Sequence, residues 1–310
     1  LKTGGVGIIW ELPLILVADK HINMSHLLPD DISLYRRWLF NVLMLGGRYL
    51  IFAGTLYLIY YVIKRKDWFY AKIQQKYPER KQILTEVKYS VLSFFVFATV
   101  LVLMRMASMY GILTSQVYHK FSDHSVAYFT GTTIFIIFFH DTYFYWAHRL
   151  MHHPLLYERV HKVHHLSKDP TPWASFAFHP IEAVLEIGFV PILIFTIPLH
   201  ISSLFFLSMW QISFNVMGHL GYEIFPRKMM QNPVFKWMNT STNHNMHHKF
   251  VKCNYGLYFN IWDILMNTNH AKYYATFDEV TARRDAGQKT VSESQDFVPE
   301  LELETTGANS

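Results

Sequence analysis

Apolar residues gather in long blocks along this chain, several of them near the roughly 20 residues that a helix needs to cross a bilayer. Trp38 to Ile63 contains Arg48, Tyr89 to Leu113 contains Arg105, and His124 to Trp146 forms a third block. A fourth, Ile187 to Tyr222, holds no Asp, Glu, Lys or Arg in 36 residues. Pro198 near its middle predicts two helices, Ala183 to Leu199 and Ile201 to Met217, joined by a tight turn. The fold class that follows is all-α, a polytopic membrane bundle of about four to five helices including the hairpin. Buried helices of a soluble protein fit the same pattern, but so many long segments in one chain favour the membrane.

Three regions result: an N-terminal membrane region over 1–125, a histidine-bearing region over 126–276, and a tail over 277–310. The tail sets eight acidic residues against Arg283, Arg284 and Lys289, with few aromatics and no apolar period, and is predicted to be disordered.

Composition agrees with the membrane reading, at 51% hydrophobic, 17% aromatic and only 16% charged residues. Between the first two spans, Lys64, Arg65, Lys66, Lys72, Lys76, Arg80 and Lys81 face only Asp67 and Glu79, whereas Thr114 to Asp123 carries Lys120 alone. The basic loop is therefore expected on the cytoplasmic side, and counting spans from it places every dense histidine cluster there too. The net charge of +5 is not a nucleic-acid footprint, because the basic residues lie in one loop without the glycine and aromatic context of an RNA-binding module. The chain opens on Leu1 without methionine, so its natural start is expected to lie upstream. No cleavable signal peptide is evident, since the stretch from Val6 to Val17 is interrupted by Glu11 and Pro13.

A single cysteine, Cys253, excludes an internal disulfide framework and any cysteine-built metal site. Histidine is the abundant alternative, with 18 copies. In "HRLMH", His148 and His152 are four apart, one above the other on a helix face. In "HKVHH", His161, His164 and His165 stand at i, i+3 and i+4, expected on a second short helix after Pro154. "HNMHH" repeats that spacing with His244, His247 and His248. Neutral imidazole suits zinc, copper, iron and nickel. Eight such ligands exceed the four of one tetrahedral zinc, so two metals are implied.

Outside the clusters, His219 closes an apolar helix where structure alone gives it little reason to sit, and it is expected to be a further ligand. His179, before Pro180, and His140, eight residues before His148, are candidates for ligands or for groups that support them. Asp141, nearly on the face of His148, is a candidate to hold a ligand's other ring nitrogen. His153 points away from the ligand face. His21, His26, His119, His124, His200 and His270 have no cluster partners.

The segments "HDTYFYWAHRLMHHP", "RVHKVHHLSKDPTPWASFAFHPIEA", "NVMGHLGYEIFP" and "TSTNHNMHHKFVKCNYGLYFNIWDILMNT" resemble the fatty acid hydroxylase superfamily, and within it the sterol desaturase branch that includes sterol C-5 desaturases. The resemblance runs from about Phe139 to Thr268. It implies a catalytic domain over 126–276 and a membrane bundle capped by a cytosolic histidine-rich helical region. It also implies two irons per chain, held by His148, His152, His161, His164, His165, His244, His247 and His248 with His219. Electrons would come from a separate protein, a cytochrome b-type carrier or a ferredoxin with its reductase. Asn243 and Asn245 stand where relatives often have His and Asp.

On this reading the chain is an O2-dependent lipid desaturase or hydroxylase acting on a C–H bond of a ring lipid. A fatty acyl or sphingoid hydroxylase is the alternative. From another class, a histidine-rich metal transporter would place its sites near the bilayer midplane rather than just beyond helix ends. The compartment is open between a bacterial inner membrane and the endoplasmic reticulum; "TTGANS" carries no retrieval signal.

Overall fold

The computed structural model describes residues 31–287. The readings for Val6 to Val17, His21 and His26, and for the tail beyond residue 287, lie outside the described residues.

Among the described residues, two helices pass a test of length and apolar composition for crossing a membrane. The first, α1 (Asp31–Tyr57), continues through a wider helical turn, Leu58–Ile63, and the second is α2 (Arg80–Met109). They pack through Tyr49, Ala53, Phe94 and Phe97, with Phe176 and Phe178 wedged against them. Their outward faces are apolar: Leu43, Leu50, Ile51, Val62, Leu84 and Leu103 are exposed, while Ser90 and Ser93 are buried. Water would penalise such a surface, and lipid would not.

Next come α3 (Val126–Met151) and the short α4 (Pro154–Val160). Ser125 caps α3 by accepting the amide of Tyr128. The expected hairpin arm from Ala183 to Leu199 is not one helix. It breaks at Gly188 into α5 (Pro180–Ile187) and α6 (Phe189–Thr196). Pro191 has no N–H to offer the carbonyl of Ile187, and its ring crowds that carbonyl. Tyr143 Oη meanwhile donates to the Leu185 carbonyl at 2.7 Å. The second arm is a continuous helix, α7 (Ile201–Gly218), capped by His200. Just before it, β2 (Leu199–His200) pairs in parallel with β1 (Val117–Tyr118), tying the turn at Pro198 to the loop between α2 and α3.

The described residues end with α8 (Ser241–Phe250), α9 (Ile261–Leu265) and α10 (Tyr273–Ala286). The last of these corrects the predicted disorder from residue 277. Tyr273 and Phe277, four apart, are fully buried against Met246, with Phe225 and Met230 beside them. Arg284 donates to the carbonyls of Glu223 and Phe225, and Arg283 to those of Tyr70 and Lys72. A short apolar stripe suffices because the arginines satisfy backbone acceptors of other segments.

Lys72 is also corrected. Counted in the sequence with the basic residues between the first two spans, it is 0% exposed, and its Nζ lies 2.6 Å from Asp169 Oδ2. The cation stands over the rings of Tyr61 and Tyr222. Residues of the N-terminal region thus reach into the part of the fold that carries the histidines.

Candidate metal centre

The C-terminal ends of α3 and α7, the turn after α4, and α8 converge beneath the loop that contains Lys72. Each contributes histidines, and the nine expected ligands fall into two groups. His148, His152, His161, His165 and His247 have ring nitrogens within 4.8 Å of one another; His164, His219, His244 and His248 form a second set by the same measure. In the first, His148 Nε2 is 3.0 Å from His161 Nε2, and His165 Nε2 is 3.1 Å from His161 Nε2 and 3.2 Å from His152 Nε2. In the second, His219 Nε2 lies 3.0 Å from His244 Nε2 and 3.3 Å from His164 Nε2.

The groups do not follow the sequence clusters. His148 and His152 do share a site, as four-residue spacing at the end of α3 requires. His161, His164 and His165, however, are not on one face of a second helix. His161 ends α4, and His164–Leu166 is a single 3-10 turn that sends His164 to one group and its neighbour His165 to the other. On α8, His244 and His248 stack at i and i+4 in the second group, while His247, about 100° round the helix from His248, joins the first. Alternation of neighbours brings the groups side by side, with the rings of His165 and His248 5.0 Å apart and those of His161 and His164 5.3 Å apart.

Several rings are oriented from behind. His148 Nδ1 faces the carbonyl of Tyr255 at 2.8 Å, His219 Nδ1 that of Asn215 at 2.7 Å, and His247 Nδ1 that of Cys253 at 2.6 Å. A carbonyl only accepts, so each Nδ1 carries the proton and each Nε2 keeps its lone pair for the group's centre. His161 Nδ1 instead meets a carboxylate, Glu182 Oε1, at 2.6 Å. Eight of the nine are buried, and only His152 is partly open. Burial, together with the neighbouring imidazoles, pushes His161, His164, His165, His244 and His248 well below the usual histidine range; burial and His148 do the same for His247. These rings are therefore neutral at physiological pH, the form that binds metal. Nε2 of His247 and both ring nitrogens of His248 are buried with no protein partner, and a metal that takes the one lone pair of each neutral ring relieves part of that cost. The residues present therefore fit two metal ions held by imidazole.

The other candidates are placed differently. His179 is in neither group; it caps α5, its Nδ1 accepting the Ile181 amide, and so sets the first turn that presents Glu182. His140 is buried against Phe189 and Tyr258, away from both groups. Asp141 does not hold a ligand ring. It accepts the amides of Tyr258 at 2.8 Å and Phe259 at 3.3 Å, fixing the segment whose Tyr255 carbonyl orients His148. His153 caps α4. The sequence reading had no signal for the carbonyls of Tyr255 and Cys253, which any residue could supply, or for the Lys72–Asp169 pair. Through that pair Asp169 Oδ1 accepts from Asn245 of α8 at 3.3 Å, and Gln74 reaches Asn245 Oδ1 at 3.0 Å.

Comparison with known proteins agrees with this geometry. The fatty acid hydroxylase family profile matches residues 133–268. Human lathosterol oxidase is 31% identical over 264 residues, covering 81% of this chain and 82% of that protein. The chain belongs to the fatty acid hydroxylase family. Its sterol desaturase branch is indicated by the same relative, by mouse lathosterol oxidase (30% over 225 residues, 70% of each chain), and by a Delta(7)-sterol 5(6)-desaturase of Gibberella zeae (27% over 244 residues, 78% of this chain and 71% of that one). No solved structure matches. The family match starts within α3 and ends after α9, so it contains both histidine groups but neither α1 nor α2. Membership does not by itself account for the loop around Lys72, which lies outside the matched stretch and yet contacts the histidine-bearing helix through Asp169 and Asn245.

Proposed function

We propose that this chain is a membrane-embedded, O2-dependent sterol-type desaturase whose nine histidines hold two irons. The observation that carries the reading is the sorting of those histidines into two adjacent buried groups with their lone pairs turned inward. The relatives named for lathosterol and Delta(7)-sterols supply the substrate class.

Desaturation removes two hydrogens from adjacent carbons. With O2, two electrons and two protons it yields an alkene and two waters. Iron, when bound, supplies the oxygen activation that no side chain can provide. The chain's own residues do the rest. The carbonyls behind His148, His219 and His247 and the carboxylate behind His161 hold ring tautomer and direction. Phe144, Phe214, Leu257 and Tyr258, packed between α3 and α7, form an apolar wall beside the centre that suits a ring lipid and excludes water. The two electrons come from a separate carrier, a cytochrome b-type protein or a ferredoxin with its reductase.

For topology, we read α1, α2, α3 and the broken hairpin α5 to α7 as the four to five membrane helices, with the histidine-bearing segments as a cytosolic cap. The exposed remainder of the basic loop between α1 and α2 supports that orientation. The membrane is the endoplasmic reticulum or a bacterial inner membrane. The test is expression in cells that lack their own sterol 5-desaturase and are supplied with lathosterol, with sterols analysed by mass spectrometry. Loss of two hydrogens, dependent on the chain and abolished by His164→Ala, is expected. Gain of one oxygen on an acyl or sphingoid chain, with sterols unchanged, would replace this reading with the hydroxylase alternative.

A further inference from the structure

Two stretches that carry none of the nine histidines flank α8 in the chain, residues 232–238 and α9, and both turn large apolar side chains outward. Val234 is 69% exposed, Phe235 51% and Leu265 67%, with Trp237, Ile264 and Met266 exposed beside them. The two stretches are joined. A bridge pairs Met238 with Phe259, the Asn239 amide donates to the Tyr258 carbonyl at 2.8 Å, and the Asn260 amide donates to the Trp237 carbonyl at 2.9 Å, so α9 begins beside Trp237. Water penalises an apolar surface of this kind, which marks an interaction site.

The position of that surface against α3 indicates what covers it. Asp141 of α3 accepts the amides of Tyr258 and Phe259, Trp262 Nε1 donates to Thr142 Oγ1 at 3.0 Å, and the Phe259 ring stacks on that of Phe138 at 5.0 Å. Phe138 precedes Trp146, where the apolar block of α3 ends, by eight residues, about 12 Å along a helix. Half the hydrocarbon core of a bilayer is about 15 Å. The surface is also continuous with the outward face of α3, on which Phe135 and Phe138 are exposed.

We propose that residues 232–238 and α9 are embedded in the cytosolic leaflet of the bilayer, as a re-entrant segment beside α3, rather than standing in the cytosol with the histidine-bearing segments they flank. Irregular backbone is tolerated at that depth only where its polar groups are satisfied within the protein. Here Pro233 has no N–H, and the amides of Val234 and Phe235 donate to Asn232 Oδ1 at 2.9 and 3.1 Å. The Lys236 amide donates to the Asn232 carbonyl and the Met238 amide to that of Phe235, each at 3.0 Å. Lys236, its Nζ 5.2 Å from the centre of the Trp237 ring, forms the cation–aromatic pair suited to the headgroup level. Met238 and Phe259 also pack on Phe144, Phe214, Leu257 and Tyr258, so the leaflet adjoins the apolar wall beside the centre. The inference rests on the membrane reading of α1 to α3 and is independent of the substrate.

The experiment places an environment-sensitive fluorophore on Phe235→Cys, Leu265→Cys, Leu43→Cys or Lys76→Cys of the full chain in phosphatidylcholine vesicles. The buried Cys253 of the wild type gives the labelling background. Quenching is measured with nitroxide-bearing lipids and with iodide on both sides of the membrane, and elution as a single species in detergent verifies that each variant is folded. Leu43, exposed on α1, reports the membrane reading itself, and Lys76, exposed in the basic loop, reports the cytosolic side. Probes at Phe235 and Leu265 are expected to lose emission to the nitroxide lipids and to be protected from iodide, as at Leu43, with the reverse at Lys76. Loss to iodide at Phe235 and Leu265 while Leu43 stays in lipid overturns the embedding alone. Protection from both quenchers also overturns it, and shows that a second copy or another protein covers the surface. Iodide quenching at Leu43 refutes the membrane reading and the embedding with it.

Discussion

His161 Nδ1 and Glu182 Oε1 lie 2.6 Å apart, both buried, and join the turn after α4 to the first turn of α5. Glu182 is at once the third residue of a capping box with His179 and the anchor of a ring in the first histidine group. A carboxylate behind a metal-binding imidazole raises the ring's basicity and fixes its direction. Glu182→Ala is expected to lower iron affinity or activity by about 10- to 100-fold. Glu182→Gln, which keeps an acceptor oxygen without the charge, should lose less. Iron per chain after dialysis against a chelator checks the order.

One substitution in each group tests the partition. His247→Ala removes a ring of the first group and His164→Ala a ring of the second. Each is expected to abolish turnover and reduce bound metal while the protein still inserts in the membrane. His153→Ala, which alters only the cap of α4, should retain most activity. Full metal content in either ligand variant would refute the grouping.

The buried pair Lys72–Asp169 predicts an asymmetric mutational response. Lys72→Met leaves Asp169 as an uncompensated buried charge and should cost about 3–5 kcal/mol. The double variant Lys72→Met/Asp169→Leu, which removes both charges, should recover much of that loss. Thermal unfolding of the detergent-solubilised protein gives the measurement. A double variant as unstable as the sum of the two single variants would show no coupling between the two charges and refute the expectation.

Burial of neutral imidazoles also fixes the sign of a pH effect. In the unfolded chain these rings protonate near pH 6.5, while in the fold His161, His164, His165, His244, His247 and His248 stay neutral well below that. Below about pH 6.5 the unfolded state therefore binds more protons, and stability falls as pH falls, by up to about 1.4 kcal/mol per pH unit for each such ring. On account of these rings the metal-free protein is expected to show a drop in its unfolding midpoint from pH 6.5 towards 5. Iron should narrow the difference near neutral pH and be lost in the acid range, because protons and metal compete for the same lone pairs.

Much of this was legible in the sequence because it depends on short-range periodicity. Four-residue spacing places His148 with His152, and His244 with His248, wherever the helix lies. Apolar run length marked α1 and α2, and the spacing of three histidine motifs pointed to the family. Other features depend on segments far apart in the chain meeting in space. The split of His164 from His165 follows from a 3-10 turn packed between α7 and α8. The break at Gly188 needed Pro191 and Tyr143 together. Tyr273 and Phe277 made a helix out of an apparently unstructured tail only because Met246 was there to cover them, and Lys72 could be buried only because Asp169, 97 residues later, arrives as its counter-ion. Local pattern determined which residues bear the chemistry. Tertiary packing decided which of them share a centre and what stands behind each, since a carbonyl or counter-charge supplied by a distant segment leaves no periodic trace in the sequence.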